Sequence, residues 1–299
     1  MLERIRRKID LAWFNFRCRD IYNTPPIQCD SDSDVLVVSQ LHHPDVIMYL
    51  LAIKSFAHYI QPRGFVIVDD GLLPKDKAVL VEHLGLVHFV PSKSVPLGSC
   101  PAGGCWERLV TLSEVNKEHY VIQLDADTLT LVDPAEVRQC VAEARSFTMG
   151  TQSGRCFVGF DDASRNAFTR DPDHVQILAE RALGEYPGKK HLKYVRGCAG
   201  FTGFAKGCLS REKIEEFSGN VERLIGGSKW REWGSEQVTS NYMVANSPDS
   251  IVLPIDRYPF WAPGVDIERA AVVHFFGTFR YTQGTYVRHS RRVITNIAD

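Results

Sequence analysis

The sequence has no long apolar run and no repeated or low-complexity segment. No stretch reaches the roughly 18 consecutive apolar residues of a membrane-spanning helix. The first residues, MLERIRRKIDLAWFNFRCRD, mix charges with apolar side chains and so lack the hydrophobic region of a signal peptide. These absences argue against a membrane-spanning protein, a secreted precursor and a repeat architecture.

Net charge is also nearly absent. The chain has 35 Lys and Arg against 36 Asp and Glu, which gives a formal charge of -1. No global field therefore draws it to nucleic acid, which we do not expect as a partner, and any charge-driven binding must be local. With 299 residues, 44% of them hydrophobic, the chain has the composition of a globular protein with one large or two small domains.

The eight cysteines lack the density of a disulfide framework, because they are spread through a chain that is long enough to bury a core. We therefore expect a reducing compartment and a cytoplasmic protein. The closest pair, Cys100 and Cys105, has no second Cys or His pair at zinc spacing nearby. Two thiols in a turn are a better prediction there than a zinc site.

Apolar runs and helical periods alternate from residue 35 onward. Strands are predicted at 35–39, 64–70, 86–90 and 120–128, and helices at 44–60, 74–85 and 105–118. This alternation predicts an α/β fold with a mostly parallel central sheet flanked by helices. The functional residues of such sheets gather at the carboxyl ends of the strands.

After residue 130 the order is less regular. Helices are predicted at 134–144, 171–183, 210–225 and 234–246, and strands at 197–207 and 272–277. The strand at 197–207 is rich in glycine, which predicts that its backbone approaches a ligand closely. The predicted domains are an N-terminal helix and linker at 1–34, a main domain at 35–285 and a C-terminal tail at 286–299.

The N-terminal helix is amphipathic, with Ile5, Ile9, Trp13 and Phe16 on one side. We expect a peripheral helix that packs on the chain's own domain. The alternative is peripheral contact with a membrane surface through residues 1–20.

The most informative motif is YVIQLDADTLTLVDP, in which a predicted strand ends with Asp125 and Asp127. Strand alternation would place both carboxylates on one face. Two hard oxygen ligands this close bind Mg2+ or Mn2+, and the ion can then bridge a diphosphate. A solvated acidic turn is the alternative.

Four blocks in order along residues 35–281 resemble the glycogenin-like family of retaining glycosyltransferases and its bacterial lipooligosaccharide galactosyltransferase members. The blocks are CWERLVTL, LDADTLTLVDP, GSEQVTSNYMVAN and VVHFFGTFRY. The resemblance implies a GT-A (Rossmann-like) fold with a DxD strand end, Mn2+ or Mg2+ as cofactor, and transfer of a hexose from a nucleotide sugar, a UDP-sugar, with retention. It leaves the acceptor open among glycans, lipid-linked acceptors and proteins.

Position by position, the resemblance implies that Asp125, Asp127 and His274 bind the metal ion. Asp125, and Ala126 beside it, would also lie at the donor. Taken without the resemblance, His274 would be a half-buried strand histidine.

Further donor contacts follow from the same resemblance. Gln40 and Leu41 end the first strand, where the family binds the nucleobase and ribose. Gly277 would let the backbone pass close to the diphosphate, and Arg280, where the family has Lys, would offer it a cation. Arg108 would reach the donor sugar or brace the acidic motif, and its alternative is a surface charge on a helix.

Glu236 and Gln237 stand where the family has an Asp-Gln pair beneath the donor sugar. A carboxylate there can stabilise positive charge at the anomeric carbon, whereas the alternative is an acid in the first turn of a helix. In VDDG, Asp69 or Asp70 would read uracil, as in inverting enzymes of the same fold, or would belong to an acidic turn.

Three other functions stay open. An inverting transferase of the same fold would need a general base, for which Glu236 or an acid within 150–175 is the candidate. A sugar nucleotidyltransferase would usually carry a glycine-rich loop after the first strand, and SQLHHPD has no glycine. An inactive donor-binding protein is disfavoured because the acidic motif, Glu236 and His274 are all present.

Overall fold

The computed structural model describes residues 2–171 and 173–298, without the side chains of residues 2–4. Met1, Pro172 and Asp299, which fall within predicted segments, lie outside the described residues. The helices are α1 (Leu2–Cys18), α2 (Val46–Ala57), α3 (Pro74–Leu84), α4 (Trp106–Val115), α5 (Ala135–Ala142), α6 (Phe160–Ala167), α7 (Val175–Ala182), α8 (Arg211–Ile225), α9 (Gly227–Trp230), α10 (Ser235–Ala245) and α11 (Thr285–Ala298). The strands are β1 (Val35–Leu41), β2 (Gly64–Asp69), β3 (Val87–Pro91), β4 (Tyr120–Leu124), β5 (Thr128–Thr130), β6 (Phe147–Met149), β7 (Val158–Gly159), β8 (Lys193–Tyr194), β9 (Cys198–Phe204), β10 (Ile251–Leu253) and β11 (Val272–His274).

The chain forms two compact units. One consists of the residues up to Phe89, Leu124–Ala135 and the residues from Asp256 onward. The other consists of Val90–Gln123 and Glu136–Ile255. The domain boundaries predicted after residues 34 and 285 divide the chain differently and stay a prediction.

In the first unit, β1 and β2 pair in parallel, and β3 follows β2 in the sheet. Their register runs from Leu36 opposite Gly64 to Leu41 opposite Asp69. Helix α2 is buried along its whole length, which explains its almost uninterrupted apolar sequence. Because parallel strands end at the same edge, Leu41 and Asp69 lie side by side there.

In the second unit, the strands lie in the order β10–β6–β9–β4. β10 pairs with β6 in parallel, whereas β9 pairs with β6 antiparallel and is buried throughout. A side chain at Gly203 would collide with the ring of Phe147. The expectation that the glycines of 197–207 let a ligand approach is therefore wrong at Gly203, where the missing side chain makes room for a core ring.

The predicted α/β fold with a mostly parallel sheet is confirmed. The sequence pattern missed β5, β6 and β10, because three residues are too few to show a period of two. The segment from residue 286, predicted as a tail, belongs to α11, which buries Tyr286, Val287 and Val293. Tyr286 and Val293 are seven residues apart, about two helical turns, and therefore share one face of the helix.

Within residues 2–171 and 173–298, no helix combines the length and the apolar character that crossing a bilayer requires. All eight cysteines are described, and none of them is joined in a disulfide.

Candidate functional site

The acidic motif lies in a turn that follows a buried strand. β4 is buried along its whole length and ends at Leu124, and the chain turns through Asp125 and Asp127 before β5 begins. Thr128 closes the turn, since both its backbone N–H and its hydroxyl donate to the Asp125 carbonyl, at 3.2 and 2.8 Å. The two carboxylates do lie together as expected, but the turn rather than strand alternation brings them together, because the strand has already ended.

Strand pairing brings His274 to this turn. β11 pairs antiparallel with β5, which places His274 opposite Thr128. The Phe275 N–H also donates to the Asp127 carbonyl at 2.8 Å. In this arrangement, His274 Nε2 lies 3.0 Å from Asp127 Oδ1, although the two residues are 147 positions apart in the chain.

The three side chains fit a divalent metal ion. His274 Nε2 also lies 3.8 Å from Asp125 Oδ2, and one ligand atom from each of the three residues lies within 4.8 Å of the others. His274 and Asp127 are 4% and 7% exposed, so the carboxylate needs a cationic partner. Two carboxylates and an imidazole suit Mn2+, and two hard oxygens also suit Mg2+.

Arg280 already contacts the same carboxylate. Its Nη2 pairs with Asp127 Oδ2, and its Nε donates to the Phe275 carbonyl at 2.9 Å. Burial by itself would raise the pKa of Asp127, but the charges of His274 and Arg280 outweigh it and hold that pKa well below its usual range. The Asp127 side chain is therefore ionised, and one of its oxygens faces the Arg280 guanidinium.

Gly277 begins the short 3-10 turn that leads to Arg280. Its φ of 64° lies in the left-handed region, which favours glycine. No atom lies within 4 Å of the position that a Cβ would occupy. This turn therefore leaves open space beside the backbone next to the acidic motif.

The carboxyl edge of β1 and β2 holds the predicted nucleobase residues. Gln40 donates to Asp70 at 3.3 Å, and Leu41 is buried. Asp69 accepts from the N–H groups of Gly71 and Leu72 at 3.0 and 2.7 Å. Asp69 thus stabilises the acidic turn, which was the alternative to a role in reading uracil. Asp70 is exposed at the edge of the sheet.

Asp45 is an acid of this unit that the sequence analysis missed. It precedes α2, and its Oδ2 lies 3.1 Å from Nδ1 of His42. Burial raises the pKa of the Asp45 carboxyl, and the charges of Asp127 and Asp125 act in the same direction. The signal that points to it is a Pro-Asp pair, Pro44 and Asp45, which follows the first strand after two histidines, at the edge where functional residues gather.

In the second unit, α4 and α10 bring Arg108 and Glu236 together. Arg108 Nη2 lies 3.6 Å from Glu236 Oε1, and both side chains are buried, so Arg108 is not the surface charge of the alternative interpretation. The indole of Trp106 donates to the Ser235 hydroxyl at 2.9 Å and fixes the start of α10. Gln237 follows Glu236 and is half-buried.

No sequence-family model and no curated protein matches this chain, whereas solved structures do. WbbM, a bifunctional glycosyltransferase in its apo form, matches 91% of this chain with a TM-score of 0.54 and 12% identity, and this chain spans 51% of WbbM. An active-site mutant of LgtC matches 86% of this chain and 95% of its own length, with a TM-score of 0.50 and 10% identity. The chain has the GT-A fold. The fold implied by the four sequence blocks is thereby confirmed, and identities this low establish the fold alone.

Proposed function

We propose that this GT-A chain is a metal-dependent glycosyltransferase that takes its sugar from a UDP-sugar. The observation that supports this most directly is the cluster of Asp125, Asp127 and His274 at the end of β4. Its mixed oxygen and nitrogen ligands favour Mn2+ over Mg2+. When bound, the ion neutralises charge on the diphosphate as it leaves.

The residues around the cluster hold the donor in this proposal. Gln40, Leu41 and Asp70 lie at the β1–β2 edge, where they bind the nucleobase and ribose. Gly277 leaves room for the diphosphate, and Arg280 pairs with it. We further propose, from the cysteine pattern, that the protein works in a reducing compartment such as the cytoplasm.

We propose that transfer retains the anomeric configuration, with Glu236 and Gln237 stabilising positive charge on the sugar. Glu236 is buried and its Oε1 lies 3.6 Å from the Arg108 guanidinium, an arrangement that suits electrostatic support of the sugar. The leaving phosphate oxygen then accepts the acceptor's proton. An inverting mechanism would instead require a general base.

The test incubates the full chain with Mn2+ and a panel of nucleotide sugars, with a chelator in a parallel reaction. We expect slow hydrolysis of one or a few UDP-sugars, which the chelator abolishes. If no nucleotide sugar is bound or hydrolysed with Mn2+, the proposed function is wrong. Proton NMR of the first product formed from an α-linked donor then distinguishes retention, which gives an α product, from inversion, which gives a β product.

Arg280→Met should change metal and donor affinity in opposite directions. Without the guanidinium on Asp127, Mn2+ alone should bind a few-fold more tightly, because a competing cation is gone. UDP in saturating Mn2+ should bind about tenfold more weakly, because the diphosphate loses a charged donor. Calorimetric titrations measure both affinities.

The control for this variant is Arg288→Met, which removes an exposed cation of α11. It should leave both affinities unchanged. If Arg280→Met weakens the binding of both Mn2+ and UDP, or changes neither affinity, the proposal is wrong that Arg280 leaves the Asp127 carboxylate to pair with the diphosphate.

A further inference from the structure

Helix α1 turns its apolar side toward solvent. Ile5, Ile9, Trp13 and Phe16 recur every three or four residues and therefore form one stripe along the helix. They are 49%, 62%, 45% and 60% exposed. The helix packs on its own unit as expected, but through a different side, and the stripe is an exposed apolar surface.

A different side of α1 holds the helix in place. Phe14 and Cys18 are fully buried. The Phe14 ring stacks on Tyr286 of α11 with 4.5 Å between centroids, and Tyr286 stacks in turn on Phe275 at 4.3 Å. Because this side satisfies the packing of α1 on its own unit, the exposed stripe is available to a partner.

Cations border the stripe on both edges. By the helical repeat, Arg6 and Arg17 lie along one edge and Lys8 along the other. The Arg17 guanidinium lies 5.4 Å from the centroid of the Trp13 ring, and that of Arg19 lies 4.6 Å from the Phe16 ring. The cations therefore lie at the level of the apolar side chains.

Helix α11 adds further positive charge beside α1. It exposes Arg288, Arg291 and Arg292, and its sequence contains no acid. α11 packs directly against α1, where Tyr286 stacks on Phe14, so the arginines it exposes belong to the neighbouring helix. Residues 5–20 carry five cations against Asp10 and Asp20, in a chain whose total charge is -1.

We propose that the Ile5–Phe16 stripe of α1 docks this protein on the surface of an anionic phospholipid bilayer. The four apolar side chains enter the boundary between headgroups and acyl chains, and the flanking cations pair with lipid phosphates. A second copy is a poorer occupant, because a symmetric contact would bring two sets of like charges together. This inference is independent of the proposed transferase activity.

The test is co-flotation of the full chain, without nucleotide sugar, with vesicles of phosphatidylcholine alone or mixed with phosphatidylglycerol. We expect binding to the mixed vesicles only, weakened by salt. The double variant Ile9→Glu/Trp13→Glu should lose on the order of tenfold or more in vesicle affinity. Arg6→Gln/Arg17→Gln should lose about fivefold for each cation removed.

Val81→Glu is the matched control, because Val81 is an apolar residue that α3 exposes by 50%. It should bind vesicles like the unmodified chain. Absence of binding to the mixed vesicles, or full binding by Ile9→Glu/Trp13→Glu, contradicts the proposal. Light scattering that shows a dimer which Trp13→Glu separates would assign the stripe to a second copy instead. The Mn2+ and donor assays use no vesicles, so they test the proposed transferase activity independently of membrane binding.

Discussion

Asp127→Asn should abolish Mn2+-dependent binding of UDP, with a loss on the order of 1000-fold in affinity. The substitution keeps the shape of the side chain but removes the charge that lies next to His274 Nε2 at 3.0 Å and next to Arg280. An amide oxygen is a weaker ligand for a divalent ion, and the diphosphate then loses the cation that neutralises it, a contribution of several kcal/mol. Calorimetry with UDP in saturating Mn2+ measures the loss.

Asp32→Asn is the matched control for this variant. Asp32 is an exposed aspartate in the loop before β1, and its replacement should leave UDP affinity unchanged. Circular dichroism checks that both variants are folded. If Asp127→Asn retains Mn2+-dependent UDP binding within about threefold, which is under 1 kcal/mol, the cluster is not the metal site.

Glu236→Gln should lower turnover on the order of 100-fold while UDP affinity stays nearly constant. The reason is that the variant removes a negative charge proposed to act only on the reacting sugar, and such support is realised mainly in the transition state. A fall in kcat with an unchanged UDP dissociation constant is the expected signature. The measurement uses the UDP-sugar that the donor panel identifies.

The buried pair with Arg108 complicates this variant in a predictable way. Neutralising Glu236 breaks a buried ion pair whose partners lie 3.6 Å apart, and this lowers the stability of the fold as well as the turnover. Turnover must therefore be measured well below the melting temperature of the variant. Glu232→Gln, an exposed acid ahead of α10, is the control and should behave like the unmodified chain. Unchanged turnover in Glu236→Gln would show that this carboxylate has no part in the reaction.

Much of the fold follows from local sequence patterns. The runs at 35–39 and 64–70 are buried parallel strands, and the period at 44–60 is the buried helix α2. These predictions succeed because strand and helix periods depend on neighbours two to four positions away. The segment at 197–207 shows the limit of such patterns, since its glycine content does not reveal that Gly203 lies against Phe147.

The candidate site was predictable only where a sequence motif marks its residues. Asp125 and Asp127 stand out because they follow an apolar strand, and His274 became a candidate through the resemblance of its block. Asp45 is marked only by the Pro-Asp pair before α2. The electrostatic influence of Asp125 and Asp127 on its carboxyl depends on how β1 and α2 fold around the turn. The contact between Arg280 and Asp127 likewise joins residues 153 positions apart.

The sequence by itself determined the α/β class, the order of the main elements and the acidic turn after β4, because each depends on short-range periodicity and turn chemistry. Only the tertiary structure decided that β11 pairs with β5 and so brings His274 to Asp127. It also decided that α1 buries Phe14 and leaves Trp13 exposed. Both outcomes depend on pairing and packing between distant segments, whose free energy no local pattern contains.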